Sequence, residues 1–303
     1  MRTESFGAYQ KYILEAGRLS ASVTDLGAIA LSVRFGGTEL TLGYRTPEEY
    51  LAGGYIGCPV GRYANRIGGA AFRLNGTDYS LTANEGRNQL HGGLPGVHKQ
   101  RWTAEATGER EIRFGLTLPD GENGFPGTLS MGLTYRLSEE ALTLIFEGES
   151  DRDTVYNPTT HIFWTLGAPA ADALRLGLRA RQVLPVDGEK LPAGAPVPAE
   201  GDFDFTEPRS IGPTVIDHCF IPFGNPVCVL ESDALRMTLE TDYPGLQIYT
   251  GDGLASSGFR SRAGIALEPE FWPDSPNHPE FPSALLRAGT RFRKVLTYRF
   301  AER

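Results

Sequence analysis

Long apolar runs are missing from this chain: none approaches the roughly 20 residues that a membrane-spanning helix needs, so no membrane partner is expected. Cysteine is nearly absent. Cys58, Cys219 and Cys228 are an odd set with no C-x-x-C pair, which argues against a disulfide framework and for a reducing compartment. Spacing leaves a Cys219–Cys228 bridge open; three buried thiols is the simpler reading. Lysine is scarce and arginine is scattered singly, so 37 acidic residues against 29 basic ones leave a net charge of −8. That balance offers nothing for a nucleic-acid backbone or an anionic lipid surface to hold. The segment Met1-Arg-Thr-Glu-Ser-Phe-Gly7 lacks the charged, apolar and small parts of a secretory signal, and a cytoplasmic protein is expected. Helical periodicity is lacking as well. Only Pro47–Leu51 reads as a single helical turn.

What is present is alternation at period two, the signature of strands with one buried and one wetter face. Ile29, Leu31, Val33 and Phe35 share one parity, as do Leu174, Leu176 and Leu178. So do Leu235, Met237 and Leu239, and likewise Phe292, Leu296, Tyr298 and Phe300. Asn75-Gly76, inside Phe72–Leu81, suits a type I′ hairpin turn, whose central residues both need positive φ. The 37 glycines and 21 prolines fall between the alternating runs as turn punctuation. An all-β protein of many short antiparallel strands follows, and two stacked sheets are the natural way to bury them. The Pro-, Gly- and acid-rich segment 186–205 reads either as an interdomain linker or, given its Phe and Leu residues, as a long loop lying on a sheet. No repeat or low-complexity tract divides the chain, so one domain over 1–303 is expected.

Chemistry concentrates in four short islands. Gly61-Arg-Tyr-Ala-Asn-Arg-Ile-Gly68 contains Arg62, Asn65 and Arg66; either arginine could fork across two oxygens of a ligand or pair with a carboxylate. In Leu90-His-Gly-Gly93, two glycines permit a tight turn that leaves the His91 imidazole at a strand end. His161 follows Asn157-Pro-Thr-Thr160 and precedes Ile-Phe-Trp164, placing an ionisable ring at a core edge where surroundings set its pKa. Glu268, in Leu267-Glu-Pro-Glu270, reads as a carboxylate at the tip of a strand ending at Pro269, fit to act as a base near neutrality. Taken singly, each histidine is equally a satisfied core residue, and the two glutamates equally a solvated pair. Asp217, His218 and Gln247 are polar residues inside apolar strands, which must find partners in the protein or in a polyol ligand. No H-x-x-x-H, H-E-x-x-H or cysteine pair supports a metal site. Neither a phosphate loop nor a G-x-S-x-G elbow is present.

These islands, in this order, resemble the aldose 1-epimerase (galactose mutarotase) family. So do Asp120-Gly-Glu-Asn-Gly-Phe-Pro-Gly127, Leu184-Pro-Val-Asp-Gly188, Phe203-Asp-Phe205, Leu246-Gln-Ile-Tyr-Thr-Gly251 and Phe281-Pro-Ser-Ala-Leu-Leu-Arg287. The resemblance implies a large antiparallel β-sandwich, the galactose mutarotase-like supersandwich, with a sugar in an open cleft. It implies an isomerase that interconverts the anomers of free aldoses such as galactose or glucose without a cofactor, as a monomer or homodimer. Glu268 would take the C1 hydroxyl proton and His161 would protonate the ring oxygen. His91 would assist, and Arg66, Asn65, Asp217 and Gln247 would hold hydroxyls. On that assignment the acid limb of the pH profile reports the glutamate and the basic limb the histidine. The chain departs from the family at Thr160, where Asn is common, at Ile162-Phe163-Trp164 in place of Ser-Tyr-Phe, and at Pro269-Glu270 in place of Thr-Gln. These changes bear on sugar preference.

Three alternatives remain at this level. A hexose-6-phosphate 1-epimerase would need cations over the cleft, with Arg62, Arg87 and Lys99 as candidates. A glycosidase would pair Asp217 with Glu268. A sugar-binding protein of the same fold would not need a matched acid and base.

Overall fold

Parity along each alternating run decides which face of the resulting strand meets the interior. The computed structural model describes residues 1–303, and its strands gather mainly into three antiparallel sheets of five, nine and six. The five-stranded sheet is a meander of Arg2–Phe6, Tyr9–Ala16, Leu19–Thr24, Ala30–Phe35 and Thr38–Glu39. The nine-stranded sheet centres on Ala141–Ser150 and Phe292–Glu302, and the latter links the 103–150 strands to those between 175 and 241. The six-stranded sheet runs in the order Phe163–Trp164, Ile265–Glu270, Gly245–Tyr249, Asp217–Pro222, Ala180–Val183, Val197–Pro198.

One cluster of 53 buried apolar residues draws on all three sheets, with Leu14 and Val23 from the first, Leu144 and Phe146 from the second, Ile248 and Leu267 from the third. Aromatic rings mark where the sheets meet. The Phe300 ring lies 6.1 Å from Phe35 and 5.7 Å from Trp164, and Trp164 also sits 4.6 Å from Tyr298. Aromatic rings carry large apolar areas into such a junction.

Local signals behave as their chemistry requires. The lone helical turn is Pro47–Ala52, closed by a capping box in which Thr46 and Glu49 satisfy each other's backbone N–H groups. The hairpin Ala71–Leu74/Thr77–Ser80 turns through Asn75 at φ 50° and Gly76 at φ 82°. Segment 186–205 is the loop and not the linker: Val197–Pro198 adds an edge strand to Ala180–Val183, and Ala199 and Phe205 are buried. All three cysteines are free and buried. No helix is long and apolar enough to cross a membrane.

One strand runs further than its sequence suggests. Proline was expected to end the strand at 269, yet pairing with Gly245–Tyr249 continues to Glu270. On the other flank, Phe163–Trp164 reaches only Ala266 and Ile265, so the missing N–H of Pro269 interrupts no ladder there.

Leu144 is fully buried between Tyr135 and Leu296 at the middle of the nine-stranded sheet. Leu144→Ala should lower unfolding stability by about 2–5 kcal/mol in urea titration, the range for an apolar cavity that cannot collapse.

Candidate active site

Four strands of the six-stranded sheet build one wall by register. Glu268 stands directly opposite Gln247, and Gln247 opposite Cys219. In the next row of the same parity Phe163, Ala266, Tyr249 and Asp217 lie side by side. Opposed residues in antiparallel strands share a face. Glu268, Gln247, Asp217, Tyr249 and Phe163 therefore project together, while Ile265, Leu267, Leu246 and Ile248 turn into the main core. Gln247 Nε2 donates to Asp217 Oδ1 at 2.8 Å, and Lys190 Nζ is 4.0 Å from the other Asp217 oxygen.

The opposite wall comes from two turns locked to each other. Leu90 pairs with Arg66 across a two-residue ladder. Beyond it the chain turns through His91, Gly92 and Gly93 at φ 52°, 84° and 88°. A Cβ on Gly92 would lie 2.0 Å from the Gly61 carbonyl oxygen, so only glycine lets the turns approach this closely. Asn65, at φ 61°, donates its backbone N–H to His91 Nδ1 at 3.1 Å, and its own carbonyl accepts from the His91 N–H at 3.1 Å. An accepting Nδ1 in a neutral imidazole leaves the proton on Nε2. The Arg66 guanidinium forks onto Glu85 at 2.6 and 2.8 Å.

His161 forms the floor. Its backbone is tied to both Cys58 and Gly57, with His161 N donating to the Cys58 carbonyl at 2.7 Å. Its Nε2 lies 3.6 Å from Glu268 Oε1. The His91 ring stands edge-on to it at 5.4 Å, and Tyr55 packs against both imidazoles. A cavity of about 400 Å³ results, and Asn65, Arg66, His91, His161, Asp217, Gln247 and Glu268 all line it. Residues separated by as much as 203 positions in the chain thus converge on one cleft.

The aldose 1-epimerase family profile matches residues 10–299. The galactose mutarotase of Mus musculus is 31% identical over 97% of this chain and 95% of its own length. The aldose 1-epimerase of Haemophilus influenzae is 35% identical over 86% of this chain and 85% of its own. In structure, galactose 1-epimerase from Lactobacillus acidophilus superposes with a TM-score of 0.90 at 27% identity, covering 97% of this chain and 95% of that one. The chain belongs to the aldose 1-epimerase family.

Within this member of the family, several residues prove to have other duties. The Arg62 side chain is buried away from the cleft, donating to the Pro126 and Gly127 carbonyls at 2.8 and 2.9 Å. Burial without a carboxylate partner lowers its pKa to about 10. Arg87 is bonded to Glu189 in a side recess that shares Arg66 and Glu85 with the cleft, and Lys99 does not line the cleft. None of the cations considered for a phosphosugar faces the floor. His218 has the opposite parity to Asp217; its ring is tilted against Phe203 at 4.7 Å, and its Nδ1 accepts from the Asp217 N–H.

Other cleft residues had no signal in the sequence, or only a weak one. Tyr249 shares the parity of Gln247 within Leu246-Gln-Ile-Tyr, which could have marked it. Glu85 lies in an irregular loop and is recognisable only by its fork with Arg66. Tyr55 carries no pattern at all, nor does the buried His98, which lies outside the lining with its ring tilted 4.8 Å from Tyr55. At the family departures, Phe163 packs 4.9 Å from His161 and faces the cleft, whereas Trp164 turns into the core.

Burial governs the electrostatics. It lowers the His161 pKa to about 4 and that of His91 well below its ordinary value, with the neighbouring His161 adding to the effect on His91. It raises Glu268 well above the usual carboxylate range, helped by the nearby Glu270 and Asp217 charges. The order of the two groups is thus opposite to that expected from sequence. Glutamate outranks histidine in proton affinity, and each limb of a pH profile belongs to the pair. With one proton between them, His161 and Glu268 are net neutral whichever holds it. His91, His161 and Glu268 also present one ligand atom each, all within 4.8 Å of one another. Two imidazoles and a carboxylate could hold a divalent cation, a grouping invisible to sequence spacing because the three come from distant segments.

The Asn65–His91 bond makes a direct expectation. Nitrogen-15 NMR of the histidine side chains at neutral pH should find His91 neutral, with Nδ1 unprotonated and Nε2 carrying the proton. An Nδ1–H tautomer would contradict this geometry.

Proposed function

We propose that the protein is a mutarotase that interconverts the α and β anomers of a free aldose such as galactose or glucose. The observation that carries this reading is the Glu268–His161 pair, 3.6 Å apart on the floor of a polar cleft. Glu268 and His161 act in concert on the two oxygens at the anomeric carbon. Glu268 takes the proton of the C1 hydroxyl, the C1–O5 bond breaks, and its electron pair accepts a proton from His161. The open-chain aldehyde rotates about C1–C2. Reclosure onto the other face then returns each proton to its donor, so the pair regains its starting state.

A single proton on the pair suffices for this cycle. The reacting tautomer has an imidazolium and a carboxylate, and sugar hydroxyls donating to Glu268 favour it over the neutral form. His91, fixed as an Nε2–H donor, assists at the ring oxygen or an adjacent hydroxyl. Arg66, Asn65, Asp217 and Gln247 hold the remaining hydroxyls. Arg66 is already bound to Glu85 and Gln247 to Asp217, so binding requires little further ordering of these side chains. The chemistry is proton transfer throughout and calls for no cofactor. We read 1–303 as one functional unit, because walls and floor draw on segments from residue 54 to residue 268, and we place the enzyme in the cytoplasm.

Polarimetry of freshly dissolved α-glucose, α-galactose, xylose and arabinose should show accelerated decay of rotation at constant total sugar; no acceleration with any aldose would refute the assignment. Exhaustive EDTA treatment should leave the rate unchanged, and loss rescued by one metal would show a cation to be needed. Glu268→Gln should lower kcat by roughly 100-fold or more while sugar still binds, and His161→Asn should do likewise. Asp217→Asn should act partly through KM.

The pH dependence follows from the pair. Below the His161 pKa of about 4 a second proton enters and the carboxylate base is lost. Above the raised Glu268 value the single proton leaves and the acid is lost. A bell-shaped kcat/KM profile is expected, its acid limb lying below the ordinary histidine range near 6.5. An acid limb at or above 6.5 would show that His161 is not held neutral by burial.

A further inference from the structure

Glu270 shares its strand face with Glu268, two positions on, and is completely buried. No salt bridge reaches it. Its Oε1 accepts from Asn65 Nδ2 at 3.0 Å, and its Oε2 has no partner in the protein. Asn65 passes the connection on. Its Oδ1 accepts from the Arg66 N–H at 2.9 Å, and its backbone N–H donates to His91 Nδ1 at 3.1 Å. One carboxyl is therefore joined by a single residue to the turn that carries Arg66 and to His91 on the turn facing it. Directly across the sheet stands Gly245, whose missing side chain leaves the Cys219 sulfur 2.8 Å from where a Cβ would be.

We propose that Glu270 is a positioning residue for the reaction, acting through the Asn65 hydrogen-bond chain to His91 and Arg66. The proposal rests on the epimerase reading of the cleft.

Asn65 is held in the left-handed region at φ 61°, a conformation that asparagine tolerates when its side chain is bonded locally. Its amide is fixed at both ends, the oxygen by the Arg66 N–H and the nitrogen by Glu270. Without the Glu270 acceptor, the buried amide nitrogen loses its partner. The turn that carries Arg66 and supports His91 then loses one of the bonds that hold it.

Two substitutions test the chain. Glu270→Gln keeps the shape and an oxygen for Asn65, whereas Glu270→Ala removes the acceptor. Glu270→Gln should keep kcat close to wild type and His91 as a single tautomer. Glu270→Ala should lose kcat by about 10-fold or more, with the His91 nitrogen-15 signature no longer that of a single tautomer. Rescue of kcat by Gln relative to Ala is the mark of the hydrogen-bond route. Wild-type kcat and a single tautomer in Glu270→Ala overturn the proposal. Glu270→Gln as inactive as Glu268→Gln overturns the positioning role even if Glu270→Ala fails to fold. If the wild-type protein accelerates the mutarotation of no aldose, the epimerase reading falls; if it does and Glu270→Ala matches it, this inference alone fails.

Discussion

Everything at the site depends on a strand that must be buried on both faces while carrying two carboxylates on one of them. Ile265 and Leu267 anchor Ile265–Glu270 in the main core, and on the other face Glu268 and Glu270 are nearly or fully sealed from water. A polar group buried without partners costs several kcal/mol, and an unpaired charge more. The strand tolerates its carboxyl groups because its backbone is paired with Gly245–Tyr249 and each carboxyl can stay protonated or share a proton. Shifting the register by one residue would put both glutamates in the apolar core and both aliphatic side chains in the cleft. The core therefore enforces the site.

Proton affinity is set by the same burial. An exposed histidine and an exposed glutamate would titrate well apart, with histidine the weaker acid. Sealed together, their order inverts: burial lowers His161 to about 4 and lifts Glu268. A pair of this kind can pass one proton between its members without carrying net charge. On the proposed mechanism, a sugar in the cleft would supply hydroxyls that favour the charged tautomer.

Around that pair, the remaining polar groups are ordered before any ligand arrives. Arg66 is clamped by Glu85, Gln247 by Asp217, and His91 by the Asn65 backbone. The two glycine-dependent turns that hold the upper wall meet closely enough to exclude even a methyl group at Gly92. Such contacts reduce the side-chain entropy lost on binding. They also explain why the polar wall is built from turns, whose backbones can approach, and the carboxylate wall from strands, whose parity is strict.

The sequence by itself determined which segments become strands and which side chains each strand turns inward, because alternation at period two is a local property of the chain. Leu235, Met237 and Leu239, or Phe292 to Phe300, could be read directly, as could the Asn75-Gly76 turn. The seven cleft residues were legible only through motifs, since their own flanks allowed a structural role for every one of them. Tertiary structure alone decided the rest. It sent Arg62 into the interior and Arg66 to the cleft, carried the strand through Pro269 where the neighbouring strand had already ended, and recruited Glu85 and Tyr55 from segments without pattern. It also inverted the proton affinities of His161 and Glu268 and gathered His91, His161 and Glu268 into a single cluster. These outcomes depend on neighbours far away in the chain and on solvent exclusion, and neither is encoded in local periodicity.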